Sequence, residues 1–334
     1  MKSIQRLMAL AAAAVLALQF GPAFAADKMK IAMVVKSLGN GFFDAAHEGG
    51  NAAAKELGDV ELIYTGPTAP TAEAQIEVIN SLIGQKVDAL VISANDKDAL
   101  IPITKRATQR GIKVISFDSG IAEGGRILQL NPSNNALIGT KLAEMAAEAS
   151  GGSGDIAVLS ATAQATNQNI WIGELKKALA KPEFAKLKLV ATVYGDDQSD
   201  KSYREAQGLL RSNPNLKVIV APTTVGIVAA SKAVADEKLI GKVFVTGLGL
   251  PSEMAGHVKS GAVKSFAIWN PIDLGYTATY IAHEAVKGKV SGKAGEQIAA
   301  GRMGKVTVEA NSEAAMAPPF TYNAGNVEKF AKIF

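Results

Sequence analysis

Two kinds of hydrophobic pattern take turns along this chain. Short, continuous apolar runs of strand length alternate with longer stretches whose apolar residues recur every three or four positions. Residues 30–35, 60–64, 89–92 and 112–117 are runs of the first kind and read as strands. Residues 43–57, 71–83 and 99–110 have helical spacing; in the second of these Ile76, Ile79 and Ile83 share a face. Gly58, Gly84 and Gly111 stop the three helices. Continuous apolar strands separated by amphipathic helices predict a parallel sheet covered on both faces. Right-handed crossovers make it a doubly wound α/β layer.

The rhythm breaks at Gly151-Gly152-Ser153-Gly154 and then restarts. Strands are expected over 156–159, 187–193, 218–220 and 243–246, and helices over 169–179, 201–210 and 225–236. This is a second layer of the same architecture, without a convincing repeat of sequence. Beyond it lie one strand (265–269), one helix (276–286), another strand (305–308) and a tail with Pro318, Pro319 and a last apolar helix ending at Phe334. One strand–helix unit is a poor third domain. It is better explained by the chain crossing back to finish the first lobe and then crossing again.

The first residues form an export signal. Lys2 and Arg6 make a positive start, residues 7–18 are apolar but short for a membrane span, and Ala23-Phe24-Ala25 fits a small-x-small cleavage site before Ala26. A periplasmic location is expected. The chain has no cysteine, which excludes disulfides, thiol nucleophiles and thiolate metal sites, and removes the cysteine a lipid-anchored protein would carry after its signal. The mature protein is expected to be free and soluble. The net charge of +4 includes Lys2 and Arg6, and basic and acidic residues are interspersed. That argues against nucleic acid or a membrane surface as a partner. His47, His257 and His283 lack ligand spacing, so no metal is expected. No cofactor motif is present: Gly247-Leu248-Gly249 lacks the third glycine and the first-strand position of a dinucleotide fingerprint. There is also no GxSxG elbow or Walker A motif.

In open α/β sheets ligands bind beyond the carboxyl ends of the strands. In the first lobe those ends carry Lys36, Asn40, Phe42 and Phe43, then Ser93, Asn95 and Asp96, then Asp118 and Ser119. In the second they carry Thr162, Asn167, Gln168, Asn169 and Trp171, then Pro222, Thr223 and Thr224, then residues 247–250. The return strand adds Trp269, Asn270 and Asp273. Amides and carboxylates bond hydroxyls in pairs, and aromatic faces cover the C–H patches of a sugar ring, so the set suits a carbohydrate. Each residue also has a plainer reading. Asn95, Asp96 and Asn169 could cap helices, Phe42 and Phe43 could be core, Asp118 a turn residue and Trp269 lobe packing. Asp118 with Lys36 could do acid–base work, although a ligand clamp is the simpler account.

At these residues the chain resembles periplasmic sugar-binding proteins of the ribose-binding type, the capture components of ABC importers. Lys36-Ser37-Leu38-Gly39-Asn40-Gly41-Phe42-Phe43 and Ile115-Ser116-Phe117-Asp118-Ser119-Gly120 carry the resemblance. Three longer stretches, residues 166–171, 220–226 and 246–254 with 266–271, are similar to the rhamnose-binding proteins of bacterial rhamnose importers. Ribose is disfavoured, because Ser119 and Gly249 stand where ribose binders have arginine and aspartate. The sister group binds autoinducer-2; against its pattern, Asn167 and Asn270 replace carboxylates and Thr224 replaces an alanine.

The resemblance implies two doubly wound parallel-sheet lobes joined by a three-strand hinge, closing on L-rhamnose or a related deoxy sugar and then docking on an inner-membrane ABC permease. It implies residues 26–131 with 270–304 as an N-terminal lobe, and 132–269 with 305–334 as a C-terminal lobe. A monomer is expected. The ligand set it implies is Lys36, Asn40, Phe42, Phe43, Ser93, Asp118, Asn167, Gln168, Pro222, Thr224, Trp269 and Asn270, with Phe42 or Trp269 against the sugar's methyl. The alternatives are an autoinducer-2 receptor and, in another class, a secreted α/β enzyme acting on sugars.

Overall fold

The computed structural model describes residues 27–334, so the export signal expected over residues 1–25 lies outside the described residues. The chain opens with β1 (Met29–Val34), α1 (Gly41–Leu57), β2 (Val60–Thr65), α2 (Ala72–Gly84), β3 (Ala89–Ile92), α3 (Ile101–Gln109), β4 (Lys113–Phe117) and β5 (Leu128–Asn131). Strand order is β2-β1-β3-β4-β5, all parallel. Successive side chains on a strand face opposite ways, so β1 serves two cores. Ala32 and Val34 pack with Ile79, Ile83 and Ile103 of α2 and α3, while Ile31 and Met33 pack with Phe43 and Ala46 of α1.

The second layer contains α4 (Asn135–Ser150), β6 (Gly154–Ser160), α5 (Thr166–Leu179), β7 (Leu187–Tyr194), α6 (Ser199–Ser212), β8 (Leu216–Ala221), α7 (Thr224–Asp236), β9 (Phe244–Gly247), α8 (Pro251–Ser260) and β10 (Ser265–Ile268). Its parallel sheet has the order β7-β6-β8-β9, and a bridge between Leu248 and Ala267 brings β10 alongside. The glycine run at 151–154 is not where this layer begins. Gly151, at φ 73°, caps α4, a helix that already packs on β8 and β9.

The chain then returns. It continues through α9 (Pro271–Val286), the hairpin β11 (Gln297–Ala299) and β12 (Lys305–Thr307), β13 (Glu313–Ala315), β14 (Phe320–Asn323) and α10 (Val327–Phe330). Helix α9 lies against α1 on the first sheet. The two helices meet through glycines: a Cβ on Gly49 would stand 1.8 Å from the Ile272 carbonyl oxygen, and one on Gly275 1.9 Å from that of Ala46. Strand β13 pairs in parallel with β5, Glu313 with Gln129 and Ala315 with Asn131. The sequence reading gives residues 305–334 to the second lobe; this pairing instead keeps the chain on the first sheet until Ala315. Beyond it β14, antiparallel to β10, and α10, packed on α8, lie on the second side. Three passages therefore link the layers, at residues 132–134, 269–270 and 316–319. Among the described residues no helix is long and apolar enough to cross a membrane.

Candidate functional site

The carboxyl ends of the two sheets face each other across a small cavity. Its wall is formed by Lys36, Asn40, Phe42, Phe43 and Asp118 from the first lobe, and by Asn167, Gln168, Trp171, Asp197, Pro222, Thr223, Thr224 and Leu248 from the second. Ile268 and Trp269 line it at a crossing strand.

Local rules place each group. Asn40 is the N-cap of α1, accepting from the Phe42 amide at 3.0 Å, which turns Phe42 and Phe43 inward at the start of the helix. Asp118 follows β4 on a left-handed backbone, φ 56°. One carboxylate oxygen accepts from Ser93 Oγ at 2.8 Å, and the other from Asn167 Nδ2 at 3.0 Å. Lys36 Nζ stands 3.8 Å from Asp118 and donates to Asn167 Oδ1 at 3.4 Å. Thr224 Oγ1 donates to Asn40 Oδ1 at 3.4 Å. These last contacts join the lobes. Gln168 commits its amide oxygen to Ser160 Oγ and the Ala161 amide, both at 2.7 Å, which leaves the amide NH2 for the cavity.

Burial is the largest influence on the Asp118 carboxyl and pushes its pKa up from 3.8. Lys36, Ser93 and Asn167 pull it back, while the charge of Asp197 adds to the rise.

The apolar side is an aromatic corner. The Phe42 ring meets Phe43 edge-on at 5.3 Å and Trp269 at 6.2 Å, and Trp171 meets Trp269 at 5.4 Å. Trp171 Nε1 is held by Asn135 Oδ1 at 2.9 Å. Trp269 Nε1 is buried without a hydrogen-bond partner. A cavity with a charged hydrogen-bonded clamp on one side and aromatic faces on the other can grip a small polyhydroxylated ring.

Of the residues singled out in the sequence, Lys36, Asn40, Phe42, Phe43, Asp118, Asn167, Gln168, Pro222, Thr224 and Trp269 come together here. Two stand outside the wall. Ser93 is fully buried behind Asp118 and orients it. Asn270 caps α9 by accepting from the Ile272 amide at 3.0 Å and donates to Asp273 at 2.8 Å. Asn95 is likewise a brace, donating to the Lys36 carbonyl at 2.9 Å, and Asp96 caps the turn before α3. Asp197 and Ile268 went unnoticed in the sequence. Asp197 follows β7, and the signal that marks it is Gly195-Asp196-Asp197 at that strand's carboxyl end. No group of three or more His, Asp or Glu side chains among the described residues is arranged to hold a metal.

Comparison with known proteins places this geometry among relatives. An ABC transporter solute-binding protein from Clostridium phytofermentas with bound L-rhamnose superposes with a TM-score of 0.89 at 38% identity, covering 92% of this chain and 100% of the other. The D-ribose/D-allose-binding protein of Pseudomonas aeruginosa is 29% identical over 72% of this chain and 77% of its own length. The D-allose-binding periplasmic protein of Escherichia coli is 28% identical over 80% and 88%. The pattern of the periplasmic binding protein domain matches residues 31–290, and the chain belongs to that family.

Proposed function

We propose that this protein is the periplasmic solute-binding component of a bacterial ABC sugar importer. It binds L-rhamnose between its lobes and delivers it unchanged to the membrane permease. One observation carries the reading: a single cavity, lined from both lobes, sets a buried polar clamp opposite an aromatic corner. In this reading Lys36, Asp118, Asn167 and Gln168 bond the ring hydroxyls, and Phe42, Trp171 and Trp269 surround the 6-deoxy methyl. The likeness to a rhamnose-bound solute-binding protein supports the choice of sugar. The family supports transport over conversion.

The test is a thermal-shift and calorimetry panel on the protein cleaved before Ala26, using L-rhamnose, L-fucose, D-ribose, D-allose, D-galactose and autoinducer-2. A ligand at a hundred times its dissociation constant adds about 2.7 kcal/mol of stability, a shift of a few degrees at this size. L-Rhamnose is expected to give the largest shift and to be recovered unaltered. A shift with D-allose or autoinducer-2 alone would keep the transport reading and discard the sugar. Chemical change in recovered sugar, lost in Asp118→Asn, would establish the enzyme reading instead.

A further inference from the structure

Asp197 has no part in the reading above, yet it faces the same cavity from the second lobe. The structure holds it there with some care. Asp196 and Asp197 both have left-handed backbones, φ 55° and 49°, a region that residues other than glycine seldom occupy. Such conformations persist where their surroundings fix them, and they gather at ligand sites. Here the surroundings are specific. The Gly195 amide donates to the Ser160 carbonyl at 2.9 Å and the Asp196 amide to that of Ala161 at 3.0 Å, tying the loop to the end of β6. Asp196 is taken up by Lys201 at 2.5 Å. Asp197 accepts a hydrogen bond from Thr223 Oγ1, so the N-cap residue of α7 fixes one carboxylate oxygen. The group is half-buried, and an ionised carboxylate with one neighbour keeps acceptor capacity to spare.

The charges around the cavity give this residue a second meaning. Lys36, Asp118 and Asp197 are the charged side chains of the wall, and Lys36 is paired with Asp118. The wall thus carries two carboxylates against one ammonium, and both carboxylates stand on left-handed backbone, one per lobe. A neutral polyol can donate hydroxyls to both; an anion meets an excess of negative charge.

We infer that Asp197 is a ligand-contacting residue, accepting sugar hydroxyls from the second lobe and selecting neutral sugars over their acids. The inference rests on the reading of the cavity as a sugar site. The experiment is calorimetry of wild type, Asp197→Asn and Asp197→Ala with L-rhamnose and with L-mannuronate, the same ring bearing a carboxylate in place of the methyl. Melting temperatures without sugar are measured alongside. Asparagine tolerates the left-handed backbone and can still accept from Thr223, so the first variant removes charge and little else. The expected result is a loss of L-rhamnose affinity of about tenfold to a hundredfold in both variants. The preference for L-rhamnose over L-mannuronate should narrow in Asp197→Asn, and the sugar-free melting temperature should hold. Variants that bind as tightly as a binding wild type overturn the inference alone. Lost affinity accompanied by a fall in sugar-free melting in both variants assigns Asp197 to holding its loop, and overturns it too. A wild type that binds none of the sugars overturns the reading of the site and this inference with it.

Discussion

At the scale of single residues, Asp118 has the sharpest consequences. Its carboxyl has a higher pKa folded than unfolded, chiefly through burial, so the folded state holds its proton more tightly. Its contribution to stability is therefore complete below pH 3.8 and is lost as pH rises through the raised folded value. Wild type is expected to lose stability relative to Asp118→Asn on going from pH 3.8 to neutral, read as urea midpoints. Lys36, left without its partner, lowers the variant's whole profile but not the difference in slope; parallel profiles would acquit Asp118. Trp269 offers a cleaner binding test. Its Nε1 has no protein partner, so Trp269→Phe breaks no hydrogen bond and is expected to lower sugar-free melting only through its reduced packing on Phe42 and Trp171. Sugar affinity should weaken about two- to tenfold by losing one donor. Equal affinity would mean that the indole is only wall. Most of this wall was legible because one topological rule locates ligands at strand ends and nearly all those ends carry polar or aromatic residues. What escaped it had a physical reason. Gln75 looks like a solvent-facing residue of an amphipathic helix, yet it is fully buried and binds the carbonyls of Val35 and Ser93 and the amide of Asn95. Periodicity cannot reveal a polar side chain that braces two strand ends.

At the scale of elements, the central strands were legible because a sheet covered on both faces needs continuous apolar runs, and β3 was located to the residue. Strand β13 was not, since three residues with one buried alanine carry no pattern. Helix α4 was passed over because small residues blur its apolar face, and α8 because it is short and broken by glycine. The packing of α9 on α1 was equally silent: a glycine in a helix reads as a weakness until its neighbour is known. Their contact makes a prediction. An added Cβ at position 275 would overlap the Ala46 carbonyl, a backbone atom that can move only if the whole helix does. Gly275→Ala is expected to destabilise the first lobe by about 1–3 kcal/mol, as overpacking does, although alanine is the better helix former. Chemical denaturation would measure it. A variant as stable as wild type would show that the two helices can part without loss.

At the scale of the whole molecule, the question is what holds two lobes together when three short passages are all that join them covalently. Across the cavity the described polar contacts are few: Lys36 to Asn167, Asn167 to Asp118, and Thr224 to Asn40. Two of these are longer than an ordinary strong hydrogen bond, so the protein alone closes the cleft weakly. A ligand shifts such an equilibrium only by binding the closed form more tightly, which requires groups from both lobes to touch it. Asn167 makes two of the three bridges, so Asn167→Ala should favour the open form while leaving each lobe intact. Small-angle scattering during a titration with L-rhamnose tests this directly. Wild type is expected to contract as sugar is added. Asn167→Ala should start more expanded and need at least about tenfold more sugar to reach the same final radius, since the amide is lost both as a bridge between the lobes and as a sugar contact. Calorimetric binding with no contraction in either protein would mean that one lobe holds the sugar by itself, and the clamp across the cavity would lose its purpose.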